Sequence, residues 1–479
     1  MKKLFLLVLF LSVAASARAQ LYIDVTQSPY SANKTCASDD GGIINQAITD
    51  ALNQSVNTYA AGSTIYFPPG CYLINTQILD PGLLSNGHGG GIGITYLGFG
   101  RAVLQAGSTL TGSIIKFGDD TQDSHGNYIH SPSRRHLSTL YFECGGLSVD
   151  GIDIGGLYNS EFDDIEIRDC ATGINTVGNN PSRWGISIEG GLVGASTAAG
   201  NGVTVGPGAN FWTIKGMRVA YGGTSTSTGV GMEIEGAGNV CAACDVEGFK
   251  IGFMAGQIGT IGGLEISGGY FENNLQSHIR IGTAAAPGDL VHGVSIHGAY
   301  LNGGKITQAC IDLQQGDGFS IVGNHFNDCL NYNIRGLADS TSPVQEGADN
   351  GFVASNTVSI SGTNTPIYSL LGKNITFIGP TCVSSASPAA CGYTSAGMVA
   401  LPAGGNSLTV NTPFITATSR ITINEDMTLG SSFSPAITCN TVGGRTYSVT
   451  AKTAGTSFTI TSSTAPATNP ACLVFSIQN

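Results

Sequence analysis

Short apolar runs separated by glycine recur along most of the 479-residue chain. The segment 264–273 aligns with 294–303 and with 319–328, and in each an apolar residue alternates with a polar one. The frame positions lie 27, 25, 30 and 25 residues apart, at Ile214, Cys241, Ile266, Ile296 and Ile321. Such spacing predicts one strand-rich coil per repeat, with extra length confined to the loops.

One segment near the N-terminus has a helical period instead. Apolar residues follow the i, i+3, i+4, i+7, i+8 spacing of an amphipathic helix at Ile44, Ala47, Ile48, Ala51 and Leu52. Asp39 and Asp40 precede this segment as N-cap candidates. Residues 62–74 then predict a strand, a Pro-Gly turn and a second strand.

This order of elements resembles the N-terminal cap of the pectate-lyase-like superfamily. The matching residues are Asp40, Gly41, Asn45, Gln46, Ala47, Ile48, Gly62, Ile65, Pro68, Gly70 and Tyr72. The resemblance implies an all-β right-handed parallel β-helix with an N-terminal capping helix. It says little about the reaction.

Composition agrees with this fold class and excludes others. The chain contains 69 glycines, and only 11% of its residues are charged. A disordered chain would be more charged, and a helical bundle would have few glycines. After about residue 388 the sequence changes to Ser/Thr-rich strands, so we expect a β-helix over 20–395 and a small β-sandwich-like module over 396–479. Alternatively, the last segment caps the open end of the β-helix.

The first residues predict export. Lys2 and Lys3 precede the apolar run 4–13, and Ala17-Arg18-Ala19 is a cleavage motif, so residues 1–19 read as a signal peptide. No later apolar run is long enough for membrane insertion. Removing Lys2, Lys3 and Arg18 takes the formal charge from −12 to −15. We therefore expect a secreted protein, extracellular or periplasmic, that binds no nucleic acid.

Twelve cysteines are compatible with disulfides in an exported protein. We expect mostly local bridges, in the order Cys36–Cys71, Cys144–Cys170, Cys241–Cys244, Cys310–Cys329, Cys382–Cys391 and Cys439–Cys472. Zinc binding is disfavoured because only one pair has the Cys-x-x-Cys spacing.

The repeat also predicts ladders of outward side chains, since equivalent positions of stacked coils lie about 4.8 Å apart. One outward row is Arg218, Asp245, Tyr270, Tyr300 and His325. A second is Ala220, Glu247, Glu272, Asn302 and Asn327. Two carboxyls on adjacent coils approach the separation used by retaining glycosidases. The catalytic candidates are therefore Asp245, Glu247 and Glu272, and the substrate-binding candidates are Arg218, Tyr270, Tyr300 and His325.

Plainer interpretations of these polar residues stay open. Asn302 and Asn327 resemble an asparagine ladder that fills a turn, and Arg280 beside Asp312 reads as a surface ion pair of small value. No metal ligand set is assigned and no cofactor is required, although a loop aspartate cluster could hold Ca²⁺, at Asp119, Asp120 and Asp123. A loop over 118–138 carries further histidines and is expected to form a lid or, less readily, a metal site, at His125, His130 and His136.

The enzymes of the resembled superfamily are mainly polysaccharide lyases and glycoside hydrolases. The polygalacturonase motifs are incomplete here, and the one Gly-His-Gly, at 87–89, precedes two of the three Asp-Asp pairs, so no catalytic residue transfers by motif. We expect a glycoside hydrolase that acts on a polysaccharide through a carboxylate acid/base pair. The alternatives are a polysaccharide lyase and a non-catalytic glycan-binding adhesin or phage-tail-like β-helix. A flat face with a homotrimer interface would favour the non-catalytic alternative.

Overall fold

The computed structural model describes most of the chain from residue 21 onward. The described ranges are 21–53, 62–82, 93–118, 132–176, 183–257, 259–283, 291–337, 340–341, 344–345, 348–359, 368–370, 375–377, 381–383, 396–412, 415–432, 437–441, 443–454 and 456–478. The chain divides into two compact units, Met1–Arg218 with Gly222–Ser225, and Val219–Tyr221 with Thr226–Asn479. Each unit is described by itself below.

Among its described residues, the first unit has the helix α1 (Gly41–Asn53) and parallel strands. The strands are Leu21–Asp24, Thr35–Asp39, Ser63–Phe67, Gly70–Ile74, Ile78–Asp80, Ile94–Ala106, Ser113–Phe117, Arg135–Glu143, Asp150–Ile154, Leu157–Asp163, Glu166–Arg168, Thr172–Thr176, Arg183–Glu189, Leu192–Ala195, Asn201–Val205, Ala209–Asn210 and Thr213–Lys215. A further strand, Arg218–Tyr221, contains the division between the units.

Helix α1 confirms the predicted amphipathic segment. All five apolar residues of the predicted face are buried. The carbonyl of Asp40 accepts the N–H of Ile44, and a carboxylate oxygen of Asp39 accepts the N–H of Gly41 at 3.1 Å. The Asp40 contact is the first backbone bond of the helix, and the Asp39 contact satisfies a donor that the first helical turn leaves unpaired.

The second unit repeats a coil of four strands. Its β-helix strands are Val230–Ile234, Gly236–Ala237, Val240–Ala242, Asp245–Glu247, Ile251–Ala255, Ile261–Gly262, Glu265–Ser267, Tyr270–Glu272, Ser277–Ile281, Val291–His292, Ser295–His297, Tyr300–Asn302, Ala309–Leu313, Gly316–Asp317, Ser320–Val322, His325–Asn327, Tyr332–Gly336, Ala348–Asp349, Phe352–Ala354, Thr357–Ser359, Tyr368–Leu370, Thr376–Phe377 and Thr381–Val383. Two short strands, Ser340–Thr341 and Val344–Gln345, form a separate antiparallel pair. Corresponding strands of successive coils pair in parallel. The molecule is thus a right-handed parallel β-helix, as predicted.

The register predicted from the repeat is confirmed. Cys241 pairs with Ile266, then Ile296 and Ile321 follow in the same row. These side chains are buried and form the core of the coil. At the turn before the next strand, Gly269 has a φ of 96°, and a Cβ there would lie 2.5 Å from the Cys244 carbonyl oxygen. Glycine is therefore required at this corner.

The asparagines that fill the turns differ from those predicted. Asn302 and Asn327 lie on strands, half-buried and outward. Buried asparagines fill turns at other positions, among them Asn324 and Asn356, which bond backbone groups and each other. The predicted register is correct, but the asparagine that fills the turn lies one residue before the strand and not on it.

Arg280 and Asp312 are close together as predicted, but the prediction that they form a surface ion pair is wrong, because the aspartate is buried. The Asp312 side chain is 0% exposed, and the Arg335 guanidinium donates to both of its carboxylate oxygens at 2.8 and 2.9 Å. Arg280 lies 3.3 Å from the same carboxylate, on the opposite neighbouring strand. Two arginine side chains on adjacent coils cover the aspartate, so the network is largely withdrawn from water.

Disulfides join neighbouring coils and loops. The described residues contain five, Cys36–Cys71, Cys144–Cys170, Cys241–Cys244, Cys310–Cys329 and Cys439–Cys472, all as predicted. The sixth expected bridge involves Cys391, outside the described residues. Disulfides of this number indicate folding in an oxidising compartment outside the cytoplasm.

The C-terminal strands are antiparallel. They are Ala396–Leu401, Ser407–Asn411, Arg420–Glu425, Tyr447–Thr453, Ser457–Ser462 and Ala471–Gln478, with a 3-10 helix at Leu429–Ser432. They form two three-stranded sheets. The predicted domain boundary near residue 396 stays a prediction. Among the described residues, none of the helices reaches the length and hydropathy that a bilayer crossing requires.

Candidate functional site

The predicted outward ladder exists in the second unit. Tyr270, Tyr300 and His325 are register partners, and their rings stack with centroids 5.1 and 5.0 Å apart. Glu247 pairs with Glu272 on the adjacent strand, and Asp245 pairs with Tyr270. Arg218, the remaining predicted residue, belongs to the first unit, where it is exposed at the start of its strand.

Most functional groups of this ladder have partners within it. The Tyr270 hydroxyl donates to a Glu272 carboxylate oxygen at 2.8 Å, and this bond raises the pKa of Tyr270. His325 has a hydroxyl within 3.1 Å of each ring nitrogen. Since Tyr270 and His325 cover both faces of Tyr300, that ring can offer a sugar its edge and hydroxyl but no face. The ladder is a flat, internally bonded surface.

A different carboxyl pair lies in the first unit, on the strand Asp150–Ile154. Asp153 is 7% exposed and hydrogen-bonds to the half-buried Asp150. Burial, followed by the neighbouring Asp150, raises the pKa of Asp153 to about 7. Two carboxyl groups can share a hydrogen bond only when one is protonated, so the pair holds one proton near neutral pH.

The strands on either side position this pair. Lys116 and Asn175 are the register partners of Asp153 on the two neighbouring strands. The Asn175 amide donates to an Asp150 carboxylate oxygen at 2.9 Å and so orients that group. The inward neighbours Ile152 and Ile154 are fully buried and fix the strand. One protonated and one ionised carboxyl side by side are the groups that general acid–base catalysis requires.

The first unit also has a groove of about 620 Å³, lined by Gly98, Phe99, Gly100, Thr139, Tyr141, Asp164, Ile165, Glu166, Gly191 and Leu192. It exists because four residues, 98–101, stand opposite Thr139 alone, where the register of the parallel strands shifts. This bulge projects Phe99, which is 64% exposed, beside the groove.

The polar groups of the groove are bonded to one another. Glu166 forms a salt bridge with Arg168 and accepts the Tyr141 hydroxyl, which raises the pKa of Tyr141. The Arg101 guanidinium lies 5.3 Å from the centre of the Tyr141 ring. Asp164 is exposed. Aromatic side chains beside hydrogen-bonding groups suit a sugar, so the groove is a binding candidate.

The carboxyl pair was missed although a sequence signal for it exists. The segments Ile-Arg-Ile at 279–281 and Ile-Asp-Leu at 311–313 are register partners in one row of strands, and Ile-Asp-Ile at 152–154 has the same form. Extending that row upstream would have placed Asp153 outward on it. Its contact with Asp150 depends on side-chain packing that the repeat does not encode.

Several predicted sites fall outside the described residues. They are the signal peptide, the Asp119, Asp120 and Asp123 cluster, His125, His130 and the Gly-His-Gly at 87–89. His136, expected in the same loop, lies instead on the strand Arg135–Glu143, 3.4 Å from Asp163. Within the part of the chain that the structure describes, no three His, Cys, Asp or Glu side chains are grouped to hold a metal ion.

Comparison with solved structures identifies relatives in fold. A mutant tailspike protein of the E. coli bacteriophage HK620, solved with a hexasaccharide, has a TM-score of 0.57 at 11% identity, over 96% of this chain and 93% of that chain. The A-module of a mannuronan C-5 epimerase from Azotobacter vinelandii has a TM-score of 0.50 at 15% identity, over 76% of this chain and 100% of that one. The chain has the pectate-lyase-like β-helix fold.

An exopolygalacturonase from Thermotoga maritima is similar at the same level, with a TM-score of 0.50 and 8% identity over 77% of this chain and 93% of that one. Neither a protein-family model nor a curated protein matches the sequence. Identities this low establish the fold alone, so the chemistry must be argued from the residues of this chain.

Proposed function

We propose that this chain is a secreted glycoside hydrolase that cleaves a polysaccharide with the carboxyl pair Asp150 and Asp153. The observation that carries the proposal is the contact between these two carboxyls, one of which is protonated near neutral pH. The protonated member gives its proton to the glycosidic oxygen. The ionised member takes a proton from a water molecule, which attacks the sugar carbon as the glycosidic bond breaks and the protonated oxygen leaves.

Several features support a glycan as the partner. Three proteins of the same fold are named for, or solved with, a saccharide: a hexasaccharide-bound tailspike, a mannuronan epimerase and an exopolygalacturonase. The chain has a formal charge of −12, and a uronate polymer would meet like charge at the carboxyl pair. We therefore propose a neutral polysaccharide as substrate, with no bound cofactor required.

The predicted ladder carboxylates Asp245, Glu247 and Glu272 remain the competing catalytic set, with Tyr270, Tyr300, His325 and Arg218 as glycan contacts. Glu272 already accepts hydrogen bonds from Tyr270 and Asn302. These bonds suit a fixed acceptor for a sugar hydroxyl better than an acid that must transfer its proton.

A second candidate function is glycan binding without cleavage. The groove beside Phe99 favours it, because its carboxylate Glu166 is tied to Arg168 and Tyr141. In that case a homotrimer, as expected for a phage-tail-like chain, would be the functional form.

The test is incubation of the purified, exported chain with xylan, mixed-linkage glucan, polygalacturonate and mannuronan. New reducing ends from a neutral polymer, without ultraviolet-absorbing unsaturated uronate, support the hydrolase. Unsaturated products assign a lyase instead. Retention on a polymer without any cleavage assigns binding alone. N-terminal sequencing of the exported chain tests secretion, with Gln20 expected as its first residue.

A further inference from the structure

An exposed aromatic patch in the first unit has no part in the proposed proton transfer. Trp184 is 43% exposed and Phe211 is 66% exposed. The half-buried Tyr158 is the register partner of Trp184, and their ring centroids lie 5.5 Å apart with the planes at 76°. Phe211 directly follows Asn210, the register partner of Trp184 on the next strand, so the two backbones are neighbours. Exposed aromatic residues on neighbouring backbones mark binding surfaces more often than single exposed residues do.

The backbone beneath this patch is held by buried side chains. Arg183, directly before Trp184, is fully buried, and its Nε donates to the Gly155 carbonyl at 3.2 Å. Trp212, directly after Phe211, is also fully buried, and its indole N–H donates to the Arg183 carbonyl at 3.2 Å. Both exposed aromatic residues therefore stand on strand ends that are fixed from inside, as a pre-formed site requires.

Phe211 occupies a backbone conformation that disfavours its own side chain. Its φ is 58°, and the corresponding residue one coil earlier is Gly185, with a φ of 68°. A bulky residue at positive φ is an outlier, and such residues concentrate at functional sites. Since glycine would fill this position without strain, the Phe211 ring points to a role outside the fold.

The patch lies within reach of the carboxyl pair. Tyr158 follows Asp153 by five residues in the same unit, so their Cα atoms are at most about 17 Å apart. The two residues belong to different sheets of the coil, so a polysaccharide that contacts both must bend around the corner between them.

We propose that Tyr158, Trp184 and Phe211 form a sugar-binding subsite that stacks on the apolar face of a neutral pyranose ring. Aromatic rings supply a large contact area at small cost in side-chain entropy, which suits a ligand whose other surfaces are hydroxylated. The identity of the sugar rests on the proposed function. The subsite itself does not depend on cleavage.

The chain offers a direct spectroscopic readout, because it contains two tryptophans and Trp212 is buried. Exposed indole fluorescence therefore reports Trp184. Titration with xylohexaose and cellohexaose should change the emission of the wild type saturably, and should protect it from acrylamide quenching, with at least one of the two. Trp184→Phe should abolish this response. A wild type that responds to neither oligosaccharide overturns the subsite.

Phe211→Gly tests the subsite without threatening the fold. Glycine suits this φ, so the variant should melt at or above the wild-type temperature while its affinity falls roughly tenfold. Unchanged affinity would overturn the proposal. A change in sedimentation mass with Trp184→Ala would overturn it too, by assigning the patch to contact between copies of the chain.

Separate measurements of cleavage and of fluorescence distinguish failure of the proposed hydrolase from failure of the proposed subsite. Asp150→Asn and Asp153→Asn should stop cleavage and leave the fluorescence response intact. If the wild type shows a fluorescence response but no cleavage, the hydrolase proposal is wrong and the subsite proposal stands. Cleavage without a response removes the subsite alone.

Discussion

Two buried aspartates occupy the same position of a five-residue strand, one in each unit, and their surroundings are opposite. Asp312 in the second unit is bound by Arg335 and contacted by Arg280. Asp153 in the first unit faces the carboxyl of Asp150, with a pKa of about 7. The first arrangement compensates a buried charge, whereas in the second the neighbouring carboxyl opposes the charge, and Ser113 and Lys116 compensate it only in part. A carboxyl kept in such conflict is poised for proton transfer, and one that is neutralised by arginines serves the fold.

The outward-facing aromatic side chains of the two units also differ, because those of one unit cover each other and those of the other are exposed. In the second unit Tyr270, Tyr300 and His325 stack on one another and complete a flat ladder. In the first unit Phe99, Trp184 and Phe211 remain exposed. The repeating coil forms the outward surface of both units. Where the chain departs from the repeat, as in the bulge at 98–101, the surface gains a groove and exposed aromatic side chains.

Removing Asp312 should have the largest effect on stability. Asp312→Ala leaves two largely covered arginine side chains, 13% and 21% exposed, without their shared partner, and we expect a loss of about 3–5 kcal/mol. Thermal or urea unfolding measures it. Asp317→Asn is the matched control in the same unit, because Asp317 is 39% exposed and 3.7 Å from His292, and its loss should be about 0–1 kcal/mol. Equal effects for the two variants would remove the structural role given to Asp312.

Asp153→Asn should instead stabilise the protein at higher pH. Because the folded pKa is raised from 3.8 to about 7, the stability that protonation supplies is complete below about pH 4 and is lost as the pH rises through 7. Asparagine removes that loss, so we expect a gain of up to about 4 kcal/mol at pH 8 and none at pH 4.

Melting temperatures at the two pH values measure this gain. The matched control is Glu161→Gln, which removes an exposed carboxyl from the same unit. A variant at Asp153 that is less stable than wild type at pH 8 would mean that its carboxylate is compensated after all.

The buried turn asparagine should matter more than the outward one. Asn324 accepts the Ala299 N–H and donates to the Ile296 carbonyl, so Asn324→Ala leaves buried backbone groups unpaired, at about 1–3 kcal/mol. Asn302→Ala, on the half-buried ladder, should cost less. Urea unfolding of both variants checks the order. The reverse order would restore the turn role first assigned to Asn302.

Metal removal should have the smallest effect. We expect hydrolysis to be unchanged after dialysis against EDTA, since the proposed proton transfer uses carboxyls alone. Loss of activity that Ca²⁺ restores would instead support the cluster at Asp119, Asp120 and Asp123.

The fold could be predicted from sequence because it is periodic. The spacing of Ile266, Ile296 and Ile321 fixed the register, and the helical period fixed the buried face of α1. Burial of outward polar groups could not be predicted, since Asp312 is covered by arginines from neighbouring coils. The carboxyl pair and the aromatic patch could not be predicted from the sequence for a related reason. They depend on contacts between residues such as Asp150 and Asp153 that share no simple period.

The most direct test compares two single variants on the same substrate. Initial rates are measured on the neutral polysaccharide that the wild type cleaves, with Asp153→Asn and Glu272→Gln at equal folded concentrations. We expect Asp153→Asn to lower kcat by about 10²- to 10⁴-fold, the usual contribution of a general acid or base, and Glu272→Gln to stay near wild type. A fall for Glu272→Gln with full activity for Asp153→Asn would contradict this expectation and place catalysis on the ladder of the second unit.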